Sequence, residues 1–270
     1  MKVQNKTIVV TGGGNGIGRQ IVLNLLAKGA KVLAVDINES ALQATMQLAA
    51  NNHGRLSTHL LDITSRDAVE AFANQAIERH GTIDGIVNNA GIMQPFVKVN
   101  DLDYTHIERV VNVNFYGVLY MTKAFLPHLL QRPEASIVNV SSMGGLLPVP
   151  GECIYGATKA AVTLLTEGLR SELQNTNVKM TLVCPGAMAT DIKFHSGADN
   201  KKFTQGDIDG AFIKPVSAPR AAEIIVKAME KKKSRILIGK DMKIMYCLNK
   251  VMPKLARHLI NTQMKVHILD

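Results

Sequence analysis

The 270-residue chain is 46% hydrophobic, a length and composition that suit one large α/β domain, and no segment approaches the ~20 consecutive apolar residues of a membrane span. Its formal charge is +9, yet none of the usual nucleic-acid-binding motifs accompanies it, so a nucleic-acid partner is not expected. Cys153, Cys184 and Cys247 form neither a metal-ligand pattern nor an even disulfide set, and the first residues lack a signal peptide's apolar core, so a cytoplasmic protein without a metal is expected.

Thr7–Thr11 is a short β-branched run that reads as a buried strand, and the glycine-rich turn Gly12-Gly13-Gly14-Asn15-Gly16-Ile17-Gly18 follows it. From Arg19 to Lys28 the apolar positions Ile21, Val22, Leu25 and Leu26 recur at helical spacing. Strand, glycine turn and helix together aim free backbone N–H groups at a phosphate, and a Cβ in the turn would block its approach. The second strand, Lys31–Asp36, ends in an acid placed to accept hydrogen bonds from the adenosine ribose of a dinucleotide. No Lys or Arg occurs in 37–40, and Asn15 stands where a basic residue would meet a 2′-phosphate, so NAD is favoured over NADP.

Further elements alternate along the chain: a helix over Ser40–Asn51, a strand over Leu56–Leu61 ending at Asp62-Ile63, and a helix over Asp67–Arg79. A fourth strand, Gly85–Val87, runs into Asn88-Asn89-Ala90-Gly91, where Asn88 reads as structural at least as readily as ligand-binding. A long helix is predicted from Ile107 to Leu130 and contains Asn114. After a fifth strand, Ser136–Val140, a Gly/Pro-rich turn holding Ser142 leads into a helix that carries Tyr155 and Lys159 on one face. A free phenol has a pKa of roughly 10, and a neighbouring cation is expected to bring it toward the working range. Tyr246 and Lys250 repeat the same spacing without a serine or glycine context and read as an ordinary surface pair.

Val178–Cys184 is a sixth strand, stopped by Pro185-Gly186 and followed by Thr190-Asp191. The aperiodic segment Phe194–Lys214 reads as a loop or lid, and a helix (Pro219–Lys231) and seventh strand (Arg235–Ile238) close the pattern. Alternating helices and nearly continuous apolar strands predict a single-domain Rossmann-type α/β fold: a doubly wound parallel sheet of about seven strands, covered on both faces.

Taken together, Thr11-Gly12-x-x-x-Gly16-x-Gly18, Asp62, Asn88-Asn89-Ala90-Gly91, Asn114, Ser142, Tyr155-x-x-x-Lys159 and Pro185-Gly186-x-x-x-Thr190 resemble the short-chain dehydrogenase/reductase family. The resemblance implies an oxidoreductase in which Tyr155 is the general acid/base, Ser142 holds the reacting oxygen, Lys159 binds the nicotinamide ribose and, helped by the positive nicotinamide, lowers the Tyr155 pKa, and Asn114 anchors a proton-relaying water. It assigns the cofactor to Gly12, Asn15, Gly16, Ile17, Gly18, Asp36, Asp62, Ile63, Asn89, Ala90, Gly91, Pro185, Gly186 and Thr190, with Tyr155 and Lys159. Use of NADP by a carbonyl or 3-oxoacyl reductase is the alternative, and a non-catalytic dinucleotide-binding regulator is the reading from another class. The resemblance also suggests a homodimer or homotetramer built on the helices at about 107–130 and 154–175.

Met93, Phe96, Leu147, Met188 and Phe194 stand near the expected pocket without an obvious basic residue. With Ser142 and Tyr155, Met93 and Met188 are therefore assigned to an apolar alcohol or ketone of steroid, long-chain or aromatic type. Residues 1–240 read as the catalytic domain and 241–270 as an amphipathic extension. Its stripe, Ile244, Leu248, Val251/Met252, Leu255 and Leu259, is accompanied by Lys243, Lys250, Lys254, Arg257 and His258 and interrupted by Pro253. Packing on the body or another subunit, a pocket wall, and peripheral attachment to an anionic membrane remain three open readings.

Overall fold

Residues 1–199, 204 and 214–268 are described by the computed structural model, without the side chains of Asn51, His53 and residues 263–268. The strands carry apolar residues on both faces, so only helices above and below can cover them. In β1 (Thr7–Thr11) Ile8 and Val10 join one core and Val9 the other. β2 (Lys31–Asp36) repeats the division, with Val32 and Ala34 on one side and Leu33 and Val35 on the other. β3 (Leu56–Leu60), β4 (Gly85–Asn88), β5 (Ala135–Val140) and β6 (Val178–Pro185) follow in the chain. After the short strands β7 (Met188–Ala189) and β8 (Val216–Ser217) comes β9 (Arg235–Ile238). Among the described residues the long strands form a seven-stranded parallel sheet in the order β3-β2-β1-β4-β5-β6-β9. The order reverses beside β1, which opens a crevice between the carboxyl ends of β1 and β4.

Helix α1 (Gly16–Ala27) follows the glycine turn, and α2 (Glu39–Ala49) begins at Asn38, whose side chain accepts the Ala41 N–H at 2.9 Å. α3 (Arg66–His80) packs Phe72 edge-on against Phe125, with ring centroids 5.9 Å apart. The helix predicted over Ile107–Leu130 is divided into α4 (Tyr104–Val111) and α5 (Gly117–Leu130) by a π-helical turn, Asn112–Tyr116. One inserted residue barely alters the apolar period, which is why the pattern concealed it. α6 (Cys153–Glu172) carries Tyr155 and Lys159.

The predicted loop over Phe194–Lys214 opens within a short helix, α7 (Ile192–His195), and its residues 200–203 and 205–213 lie outside the described residues. Its base is pinned where β7 and β8 pair in parallel, Met188 with Val216 and Ala189 with Ser217. α8 (Ala218–Glu230) shares one face of the sheet with α1, burying Ile225, Val226 and Met229 against Ile21, Leu25 and Leu26. The extension forms α9 (Lys240–Val251) and α10 (Pro253–Ile268), parted at the expected proline. Met242 of α9 is fully buried with Leu182 and Cys184, so the first turn of the extension belongs to the body. Among the described residues no helix is long and apolar enough to cross a membrane.

Candidate active site

The crevice at the switch of strand order has the features a dinucleotide needs. Gly12 and Gly16 have φ of +67° and +52°, where other residues would be strained. A Cβ on Gly18 would strike the Gly12 carbonyl, so turn and helix meet too closely for any other residue. Asn15, at the N-cap of α1, makes no capping bond; its Oδ1 instead accepts from Arg19 Nη2 at 3.1 Å. The first turn of α1 is thus left without a side-chain acceptor, as a site for an anionic pyrophosphate requires. At the far end, Asp36 Oδ2 accepts the Gly14 N–H at 2.9 Å and Oδ1 accepts the Asn38 N–H at 3.0 Å. Those bonds fix a carboxylate toward the cleft, suited to a ribose diol and opposed to a 2′-phosphate.

The cleft measures about 520 Å³ and is lined by Gly12, Asn15, Gly16, Ile17, Asp36, Asp62, Ile63, Asn89, Ala90, Gly91 and Thr190 of the expected set. Gly18, Tyr155, Lys159, Pro185 and Gly186 do not line it. Gly186 is instead crowded by the Asp241 carboxylate, which accepts the Ala187 N–H at 2.6 Å. That partner comes from the extension, so nothing in the neighbouring sequence announces it. Asn88 is structural: its Nδ2 donates to Asn139 Oδ1 at 2.8 Å and to Thr122 Oγ1 at 3.1 Å. Three basic residues that the sequence pattern did not single out, Arg19, Arg109 and His195, also face the cleft. Arg19 is held by Thr45 Oγ1 at 3.1 Å and by Asn15.

Tyr155, Ser142 and Lys159 meet beyond the Gly91 end of the cleft. Ser142 stands close enough to the phenol to favour its charged form, and Ser142 Oγ accepts the Gly144 N–H at 3.2 Å. Lys159 Nζ lies 5.8 Å from the Tyr155 ring centroid and donates to the Val140 carbonyl at 3.2 Å. A Cβ on Gly91 would stand 2.9 Å from that ammonium, so glycine is what lets the strand end and the lysine meet. The expected lowering of the Tyr155 pKa is corrected by the structure. Burial pushes the phenol up to about 12, opposed by Ser142 and reinforced by Glu152, while burial brings Lys159 down to about 8. Both groups lose water, and burial is the largest cause of each shift.

Asn114, fully buried in the π turn, accepts the Ile92 N–H at 2.9 Å and donates to the Ile92 carbonyl at 2.9 Å and to Thr158 Oγ1 at 3.3 Å. Its amide thereby ties the loop after β4 to Thr158 of α6. A residue that no sequence motif marks braces α6. Buried Gln94 accepts the N–H groups of Ile154 and Tyr155, each at 2.9 Å, and donates to the Gly151 carbonyl at 3.1 Å. Tyr246 and Lys250 behave as the ordinary pair expected of them: the ammonium sits 4.7 Å from the ring centroid, and the phenol accepts from Arg235 at 2.8 Å.

The expected substrate residues scatter. Met93 lies half-buried in the loop after β4, its N–H donating to Ser196 Oγ at 2.9 Å. Met188 packs against the core under α1 and α8, and Leu147 is buried. One basic residue, Lys193 of α7, does approach, contrary to expectation. Lys193 Nζ lies 5.1 Å from the Phe96 ring centroid, and its charge opposes the burial that raises the Glu152 pKa.

Residues 6–201 match the sequence profile described as short chain dehydrogenase. The chain belongs to the short-chain dehydrogenase family. Of relatives in this family, the SadH protein of Mycobacterium tuberculosis, assigned as an oxidoreductase, is 35% identical over 263 residues, 95% of this chain and 94% of SadH. The 3beta-hydroxysteroid dehydrogenase 2 of Eggerthella lenta is 37% identical over 188 residues, covering 69% of this chain and 72% of that protein. The crystal structure of a short-chain dehydrogenase/reductase from Burkholderia phymatum in complex with NAD superposes with a TM-score of 0.84 at 26% identity, covering 95% of this chain and 97% of that one.

Proposed function

We propose that this oxidoreductase uses NAD to interconvert a secondary alcohol and a ketone on an apolar molecule. The observation that carries the reading is the meeting of Ser142, Tyr155 and Lys159 beside Gly91, where the dinucleotide cleft ends. A dinucleotide held in the cleft would supply or accept the hydride. Tyr155 gives its proton to a carbonyl oxygen during reduction and takes one from the alcohol during oxidation. Ser142, whose Oγ is anchored by the Gly144 N–H, would turn its hydrogen from the phenol to that oxygen. Lys159 presents a charge at the Gly91 edge, placed to bind ribose hydroxyls. A phenol held up to about 12 is protonated at neutral pH, so the resting enzyme carries the form needed for reduction. Oxidation calls on positive charge from Lys159 and the nicotinamide to draw the phenol down.

Asp36 supports NAD, as does the NAD complex of the Burkholderia relative. Arg19, a cation on the cleft wall, is the observation that favours NADP, yet its guanidinium is already engaged by Asn15 and Thr45. The apolar substrate rests on Met93 and Phe96 and on likeness to the Eggerthella steroid dehydrogenase. Fluorescence titration with NADH and NADPH tests the cofactor. Wild type should prefer NADH by at least about tenfold and Asp36→Ala should erase the preference; equal or tighter NADPH binding by wild type refutes NAD use. A substrate panel in which only small hydrophilic polyols turn over refutes the apolar substrate. Assembly as a homodimer or homotetramer through α5 and α6 is part of the proposal, supported by Leu164, 75% exposed on α6.

A further inference from the structure

The extension buries Met242 and Ala256 but leaves most of its apolar stripe uncovered. Ile244, Val251, Met252, Leu255 and Leu259 are 57, 80, 51, 39 and 45% exposed. Positions 244 and 251 share a face of α9, and 255 and 259 share a face of α10, on either side of the non-helical break at Met252. Large side chains exposed in a row are costly to leave in water and mark a docking face.

Charge identifies the occupant. Residues 240–262 contain five Lys and Arg, together with His258 and a single acid, Asp241. That acid is turned inward to the Ala187 N–H and neutralises nothing on the outer face. Lys254, Arg257, His258 and Asn261 also surround an open depression of about 370 Å³, a set of donors suited to an oxygen anion. A second copy of this chain docking stripe to stripe would press these cations against their own counterparts. Residues 1–200, with 16 basic and 16 acidic residues, offer no net charge to offset them. An interface with apolar chains below and phosphate or carboxylate groups above satisfies both features, because lysine and arginine stems lie along apolar surface while their ends reach the headgroups.

We infer that α9 and α10 seat the enzyme on an anionic lipid surface, with the Ile244–Leu259 stripe in the acyl boundary and the flanking cations on the headgroups. Each Lys or Arg near such a surface strengthens binding about fivefold. Membrane seating of this kind is independent of the choice of cofactor or substrate.

Co-sedimentation of the full chain with vesicles of phosphatidylcholine, alone and mixed with phosphatidylserine, tests it. Wild type should bind the mixed vesicles at least about tenfold more tightly and release in high salt. A stripe variant (Val251→Ser, Leu255→Ser, Leu259→Ser) and a charge variant (Lys250→Gln, Lys254→Gln, Arg257→Gln) should each lose that binding, with thermal midpoint and turnover unchanged. No binding by wild type, or binding retained by either variant, overturns the inference. So does a fall in solution mass caused by the stripe variant, since a second copy would then be what covers the face.

Discussion

Gln94→Leu should separate the chemistry of this enzyme from its affinity for the dinucleotide. Gln94 is 1% exposed and supplies three hydrogen bonds to the start of α6: it accepts from Ile154 and Tyr155 and donates to the Gly151 carbonyl. Leucine keeps the bulk but leaves two N–H groups and a carbonyl without partners, at a cost of about 1–3 kcal/mol each before the turn relaxes. The turn relieves that cost by fraying, and fraying moves the Tyr155 phenol away from Ser142. A displacement of about 1 Å at the reacting group lowers kcat by roughly 100-fold. Dinucleotide affinity should change by less than about twofold, because Gly12, Asn15 and Asp36 share no bond with Gln94. Gln94→Glu keeps an acceptor for both N–H groups at a helix N-terminus that favours negative charge, and should hold most of the stability. Its carboxylate adds to the Glu152 effect on Tyr155, so the alkaline limb of the kcat profile should move to higher pH. The assay pairs steady-state turnover with dinucleotide titration and a melting curve. A folded Gln94→Leu enzyme with kcat within twofold of wild type, or one losing affinity and turnover equally, would refute the reasoning.

The buried pair predicts opposite pH slopes for the dinucleotide-free protein. Between pH 8 and 10.5 the unfolded chain holds the Lys159 proton that the folded chain has released, so unfolding stability should rise with pH there. Between pH 10 and 12 the folded chain keeps the Tyr155 proton that the unfolded chain loses, so stability should fall. Lys159→Met should remove the first slope and add up to about 3 kcal/mol at pH 7; denaturant titrations with the same slope in both proteins would contradict this. Leu164→Asp should reduce the assembly to its 29.3 kDa chain in light scattering, and a wild type already at that mass ends the oligomer proposal.

Strand positions were legible because a parallel strand buried on both faces must be apolar throughout, and the seven long strands lie within a residue or so of their predicted places. The glycine turn and Asp36 were legible for a related reason: backbone must approach backbone, and a carboxylate must end β2. What escaped was held by partners distant in the chain. Gln94 finds α6 some 60 residues away, Asp241 finds Ala187, and α7 carries Lys193 to Phe96 by a fold of the loop that no period encodes. The expected pKa of Tyr155 failed for the same reason. Helical spacing correctly set Lys159 beside Tyr155, but spacing reports proximity and not the water that proximity excludes. Burial raises the phenol to about 12 and lowers Lys159 to about 8, so near neutral pH a protonated phenol rests beside a lysine that is still charged. A positive nicotinamide held beside Gly91 and Lys159 would add to the lysine's charge and favour the phenolate that oxidation needs, so Tyr155 would become a competent base only with its oxidant in place.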